Sequence, residues 1–189
     1  MAPHRVNILG ASGAGASSLG RALAEALRAP YFDCDDYYHE PSDPPFQRRA
    51  TPESRHARLV GDLGRQASWV LAGGVAGWEP YPQLGITQFV FLWVPPAVRI
   101  ERLRRREQGR FGARVLPGGD MHGQHEEFVA WAARYDAGDV EGKTLARHEA
   151  YLAQQNCPVL EIRGEVATEE ALRRVLAALA TGVADRDAS

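Results

Sequence analysis

Gly10-Ala11-Ser12-Gly13-Ala14-Gly15-Ala16-Ser17-Ser18 is the stretch that decides the fold. It follows a short apolar run, Arg5–Gly10 (RVNILG), and opens a segment of helical period over residues 17–28, where Leu19, Leu23 and Leu27 share one face. A glycine-rich turn between a strand and a helix is the setting of a phosphate-binding loop. Small residues let successive N–H groups point inward, and the following helix adds its N-terminal dipole. Gly10, Gly15 and Ser17 fall where G-x4-G-K-[ST] needs them, but alanine stands at position 16 in place of lysine. A tight turn without a ligand is the plainer reading, yet so long a run of small residues leaves the backbone open to an anion. Gly10-x-x-Gly13-x-Gly15 is not the G-x-G-x-x-G of dinucleotide binding, so that reading is the lesser one.

Outward from this turn, strand and helix signals alternate. Strands are expected at residues 31–35, Trp69–Ala72, residues 89–94 and Val159–Arg163, with helices between them. Thr51-Pro52-Glu53 opens one helix, residues 99–107 form a charged helix, and Thr168 opens the last. Five strands with intervening helices predict an α/β protein, a three-layer α/β/α sandwich on a five-stranded parallel sheet. One domain is expected over residues 1–181, with a glycine-rich irregular lid at about 108–123 and a tail at 182–189.

Composition narrows the function. The 189 residues carry a formal charge of −2, with 44% hydrophobic and 24% charged residues. That speaks against a broadly basic nucleic-acid binder. The longest strongly apolar run, residues 89–94, is far short of the ~20 residues of a membrane span. No apolar signal segment follows the N-terminus, and Cys34 and Cys157 read as reduced thiols, so a cytoplasmic protein is expected. Lys143 is the only lysine among 22 basic residues. A general arginine-for-lysine bias does not explain Ala16.

The second informative stretch is Tyr31-Phe32-Asp33-Cys34-Asp35-Asp36-Tyr37-Tyr38. On a strand, Asp33 and Asp35 would project together, beyond the carboxyl end of the sheet where ligands sit. Phosphoryl transfer to a hydroxyl needs a carboxylate to orient the attacking oxygen, and Mg²⁺ takes oxygen ligands. The Ser17 hydroxyl and water held by Asp33 are the candidate metal ligands. A solvated acidic turn is the alternative.

These motifs resemble the P-loop kinases of small molecules over residues 6–179. Asp33-x-Asp35 is similar to the D-x-D of the shikimate and gluconate kinase group. That resemblance implies magnesium coordination by Asp33 and contact with the acceptor hydroxyl, or general-base work, by Asp35. Asp35-Asp36-Tyr37-Tyr38, followed by Pro44-Pro45-Phe46, resembles the D-D-[FY]-[FY] stretch of uridine and nicotinamide riboside kinases, and again points to Asp35. Ala72-Gly73-Gly74 looks like the glycine stretch that approaches substrate, residues 89–106 like the strand and arginine-rich helix before a lid, and residues 159–164 like the last strand, whose loop cradles adenine. Lysine-free loops of this type resemble an uncharacterised branch of adenylate-kinase-like proteins. ATP and Mg²⁺ are the implied cofactors.

Seven arginines lie within residues 99–114, which carry a net +5. Arg106, Arg110 and Arg114 flank or enter the lid and are the candidates to clamp the transferring phosphate and supply the charge missing at Ala16. Arg99 and Arg104 read as a solvated face, and Lys143 sits in a loop that need not reach the phosphates. Arg48, Arg49, Arg55 and Arg58 lie where an acceptor's phosphate or carboxylate could be gripped. Asp36, Tyr38, Arg58, Gly73, Gly74 and Trp78 are expected around the acceptor. Trp78 and Tyr81 could stack on a planar molecule or simply pack. His122 and His125, with Asp120 and Glu126, suit a structural role in the lid better than a metal site. The expected function is transfer of a nucleoside triphosphate's γ-phosphate to a hydroxyl of a small-molecule acceptor, by a monomer or homodimer that binds neither nucleic acid nor membrane. A nucleoside monophosphate kinase and a nucleotide-binding regulator with little turnover are the alternatives.

Overall fold

The computed structural model describes residues 3–187, with side chains to residue 181. Its centre is a five-stranded, all-parallel sheet made by β1 (Arg5–Gly10), β2 (Tyr31–Asp33), β5 (Trp69–Ala72), β6 (Gln88–Trp93) and β7 (Val159–Arg163). The order is β2-β5-β1-β6-β7, which puts β1 in the middle and the turn after it at the centre of the carboxyl edge. Helices cover both faces, so the inner strands are apolar apart from Asn7 and Gln88, whose side-chain amides donate to backbone carbonyls. The period-two alternation sorts their side chains. Val6, Ile8, Val70, Val90 and Leu92 join Leu19 and Leu23 of α1 (Ala16–Leu27) and Val175 and Leu179 of α7 (Thr168–Asp187). Leu9, Trp69, Leu71, Phe89 and Phe91 face the other way, onto Leu59 and Leu63 of α3 (Pro52–Gly64) and Tyr151 and Leu152 of α6 (Leu145–Ala153). The predicted α/β/α sandwich is the observed fold.

Helix starts obey the expected chemistry. Thr51 accepts from the Ser54 N–H at 3.2 Å, and Pro52 takes the first turn of α3, where a missing N–H costs nothing. Thr144 caps α6 through the Arg147 N–H. Helix α7 takes in the backbone up to Asp187, where a tail was expected from 182; residues 188 and 189 lie outside the described residues.

Two expectations need correction, and one element is new. Strand β2 stops at Asp33, and Asp35 begins a four-residue helix, α2 (Asp35–Tyr38), so Asp33 and Asp35 are not strand neighbours on one face. The cause is local: Asp33 Oδ1 accepts the N–H of Asp35, an Asx turn that ends the strand. The lid is also less irregular than its glycines suggest. Helix α4 runs through Gly109 from Pro96 to Phe111, a 3₁₀ turn covers Gly112–Val115, and α5 starts at His122. A lone glycine costs a helix only about 1 kcal/mol, which the arginine- and glutamate-rich surroundings absorb. Finally, a small antiparallel pair, β3 (His39–Glu40) with β4 (Arg48–Arg49), frames the loop 41–47.

Candidate active site

The glycine turn divides into packing residues and open ones. A Cβ on Gly10 would lie 2.4 Å from the Leu92 carbonyl oxygen, and one on Gly13 would lie 2.2 Å from that of Arg99, so these two glycines let β6 and α4 press on the loop. Ala11 and Ala14 are buried. The open part begins at Gly15. This residue has φ +98, a region side chains avoid, and a Cβ there would meet nothing within 4 Å. It is the N-cap of α1, and neither a capping side chain nor a first-turn acid serves that helix end. The first N–H groups of α1 are therefore left without a capping side chain, in a setting suited to an anion. Ser12 and Ala16 are half-buried and Ser18 is exposed. Ala16, the first residue of α1, leans on the core.

Asp33 stands against this turn. Its Oδ2 accepts the Ser17 hydroxyl at 3.0 Å and the Tyr31 hydroxyl at 2.7 Å, while Oδ1 holds the Asp35 N–H. Three donors fix the carboxylate beside the start of α1. Ser17 and Asp33 are thus two hard oxygen donors already in contact, a pair that fits Mg²⁺. Asp35 and Asp36 are exposed one residue beyond. Partial burial, then the charges of Asp33 and Asp35, hold the Asp36 carboxyl above its ordinary range, while Arg21 and Arg110 pull it down. Arg21 and Arg110 offset only part of that rise.

The edge of β5 closes the site from below. Asn7, fully buried, donates through Nδ2 to the carbonyls of Leu71 (3.0 Å) and Gly73 (2.7 Å). Cys34 packs against Gly73, and His148 lies behind Gly74. Burial pushes the Cys34 thiol up, so it is not a nucleophile at neutral pH. His148 Nδ1 meets the Tyr135 hydroxyl at 2.8 Å, and burial lowers the imidazole to about 3. Cys34 and Cys157 form no disulfide.

The arginines sort by partner. Arg102 pairs with Glu165, Arg104 with Glu126, Arg105 with Glu101 and Arg106 with Glu107. Arg114 is held by Asp120 at 2.7 Å and Asp43 at 2.8 Å, so two of the three expected phosphate clamps are engaged elsewhere. Arg99 is not on a solvated face: it is fully buried, bonded to Asp136 and the Ala132 carbonyl, under the Tyr135 ring. Among the described residues, Arg110 alone of the seven makes no ion pair. Its guanidinium lies 5.3 Å from the Phe46 ring and 5.0 Å from that of Phe111, and its charge is felt at Asp36. Arg21, one helical turn after Ser17, lies 4.8 Å over the Tyr31 ring and also acts on Asp36. The sequence reading missed it, although the i, i+4 step from Ser17 marks it.

Around α2 and loop 41–47, rings run in a row: Phe111, Phe46, His39, Tyr38, Trp78 and His56, with successive centroids 5.0–6.3 Å apart. Arg55 lies between Tyr38 and Trp78, 4.9 and 4.6 Å from their centres. It is buried, its Nε has no partner, and among the described residues no carboxylate pairs with it. Arg58 donates to the Asp36 carbonyl at 3.0 Å, beneath α2. Trp78 is buried with Tyr38, Arg55 and His56 around it, so it shapes the site through Arg55 instead of stacking on a ligand. Tyr81 packs on Tyr151. His125 is buried in α5, and no group of three metal-binding side chains is found among the described residues.

Comparison with known proteins agrees with this geometry. A family model described as an AAA domain, AAA_18, matches residues 6–114. The chain belongs to the AAA_18 family. An uncharacterised protein of Bacillus subtilis (strain 168), YqaC, is 40% identical over 171 residues, covering 90% of this chain and 94% of that one. Among solved structures, a gluconokinase from Sinorhizobium meliloti 1021 superposes with a TM-score of 0.56 at 22% identity, covering 95% of this chain and 93% of its own. A shikimate kinase from Acinetobacter baumannii, in complex with shikimate, gives 0.54 at 18%, covering 95% and 94%. The fold is that of the P-loop small-molecule kinases. No helix among the described residues is long and apolar enough to cross a membrane.

Proposed function

We propose that this chain is an ATP-dependent kinase that phosphorylates a hydroxyl of a small acceptor bearing an anionic group. The observation that carries this reading is the Ser17–Asp33 contact at 3.0 Å against the open glycine turn, with Asp35 one residue beyond. The N–H groups at the start of α1 receive the phosphates. Ser17 and Asp33 would hold Mg²⁺, which when bound screens the charge on the phosphate oxygens. Asp35 accepts the acceptor's hydroxyl proton as its oxygen bonds to the γ-phosphorus and the bond to the β-phosphate oxygen breaks, leaving ADP. A phosphate acceptor, as in a monophosphate kinase, gives Asp35 no proton to take.

Two features support the acceptor's class. Arg55 is a buried cation without a carboxylate, a state that costs several kcal/mol unless an anion visits it. Arg110 is the arginine of α4 that no carboxylate among the described residues neutralises, and it is the one we assign to the transferring phosphate, while Arg106 and Arg114 are spent on carboxylates. Hydroxylated carboxylates and phosphate monoesters are therefore the acceptors to try before neutral sugars.

ADP release over such a panel, with Mg²⁺, tests the reading. Asp35→Asn keeps the side chain's shape and removes the proton acceptor, so turnover is expected to drop ~10²–10⁴-fold with ATP affinity unchanged. Gly15→Val, forcing a branched side chain into φ +98 at the mouth of the turn, is expected to abolish ATP binding in a folded protein. ATP binding with no transfer to any acceptor would favour the regulator reading, which draws on Ala16.

A further inference from the structure

Phe46 is a non-glycine residue at φ +68, a left-handed conformation that a bulky side chain adopts only when its surroundings impose it. Those surroundings belong to the lid. Gln47 Nε2 donates to Gln124 Oε1 at 2.7 Å, Gln124 Nε2 donates to the Pro45 carbonyl at 3.1 Å, and Arg114 reaches Asp43 at 2.8 Å. Within the loop, the Ser42 hydroxyl donates to the Pro44 carbonyl and accepts from the Gln47 N–H. Loop 41–47 is thus fastened to α5 and to the 3₁₀ turn, and the strained residue at its tip points a ring at Arg110. The Phe46 and Phe111 rings stand edge to face, 6.3 Å apart at 85°, with the Arg110 guanidinium against both. The other side of Phe46 meets His39, next to Tyr38 in the row of rings.

We propose that Phe46 is a positioning residue: it holds Arg110 at the phosphate site, so the acceptor loop and the lid together supply the cation that position 16 lacks. This rests on the kinase reading above. A guanidinium resting against two rings keeps its N–H donors free for an anion, whereas one paired with a carboxylate would not. That is why Arg110, and not Arg106 or Arg114, suits a polyphosphate. Because the loop carrying Phe46 also borders the acceptor, displacing the loop disarms Arg110. ATP turnover is thereby tied to an acceptor loop that is properly seated.

The test uses two readouts on the full chain. Affinity for inorganic tripolyphosphate reports the cation without any chemistry, and acceptor-dependent ADP release reports turnover. Arg110→Ala is expected to weaken tripolyphosphate binding about 10-fold and to cut turnover about 10²-fold. Phe46→Leu keeps apolar bulk but removes the ring face, and should weaken tripolyphosphate binding at least about 3-fold and cut turnover at least about 10-fold. Phe46→Tyr keeps the face and should retain both properties, which separates positioning from packing. The double variant Phe46→Leu/Arg110→Ala should be no worse than Arg110→Ala. Circular dichroism and thermal melts establish that each variant is folded. Wild-type binding and turnover retained in folded Phe46→Leu overturn the inference and leave the kinase reading standing. A wild-type protein that binds neither tripolyphosphate nor ATP overturns that reading, and the inference with it.

Discussion

His148 makes stability depend on acid in a way that can be calculated. It is fully buried among Phe91, Tyr135 and the backbone of Gly74, and burial lowers its imidazole from 6.5 to about 3. The native protein therefore keeps it neutral while the unfolded chain takes a proton at about pH 6.5. Stability from this group is complete above pH 6.5 and is lost as pH falls, by about 1.4 kcal/mol per unit until pH 3 is approached. At pH 5 the loss is about 2 kcal/mol, a large share of a usual total of about 5–15 kcal/mol. His148→Phe removes the proton site and strands the Tyr135 hydroxyl, which costs about 1–3 kcal/mol at neutral pH. The two stability curves should then converge, and cross near pH 5. Urea unfolding at half-unit steps from pH 4.5 to 7.5 measures this. His39 and His56, also lowered by burial, are common to both proteins and cancel in the difference. So do the surface carboxylates held down by arginine, such as Asp120 and Glu170. A constant gap between the curves across the range would refute the reasoning.

Two further outcomes are expected. Ala16→Lys should raise turnover by up to about 10²-fold and shrink the penalty of Arg110→Ala, since one cation then backs up the other; ADP release in the four proteins decides it, and an undiminished Arg110→Ala penalty counts against the compensation. Arg99→Met leaves Asp136 and the Ala132 carbonyl without their buried donor and should cost about 3–5 kcal/mol in chemical denaturation, whereas Arg105→Ala, in an exposed pair with Glu101, should cost under about 1 kcal/mol.

The sheet was legible because its inner strands are buried on both faces. Residues such as Val70-Leu71 and Phe89-Val90-Phe91 read as apolar runs whichever way each side chain points. The glycine turn and the three acids were legible for a related reason, as small or charged residues at a strand end have few structural uses. What escaped depends on contacts distant in sequence. Arg99 looks like its neighbours on a charged helix, and only the approach of Asp136, 37 residues on, shows that it is buried. Arg55 is one of four arginines in its segment, and its singularity comes from Trp78. Asp35 was misplaced for a local reason, since alternation assumes a strand and Asp33 spends a carboxylate oxygen on ending it. Phe46 carried no mark at all: nothing in Pro44-Pro45-Phe46 says that the aromatic residue takes the conformation a glycine would prefer.

The distribution of charge connects these points. A chain with one lysine and 21 arginines could neutralise phosphate almost anywhere on its surface. It does not, because most arginines of α4 are matched with carboxylates within the reach of one side chain. Among the described residues, four of the cations without a carboxylate partner lie on or near α2: Arg21 and Arg110 act on Asp36, Arg58 donates to its carbonyl, and Arg55 lies over the Tyr38 ring. They sit against rings or backbone carbonyls, partners that hold a guanidinium in place without cancelling its charge. On the acid side, burial and then the charges of Asp33 and Asp35 raise the Asp36 carboxyl, and Arg21 and Arg110 offset only part of that rise. Opposite charges held apart at one edge of a sheet are costly to the empty protein, and both costs fall when a polyphosphate and a divalent cation arrive together. Either one alone answers only half of the imbalance. On that argument binding of the two should be cooperative, and the affinity for tripolyphosphate should rise with Mg²⁺ and lose most of that rise in Asp33→Ala.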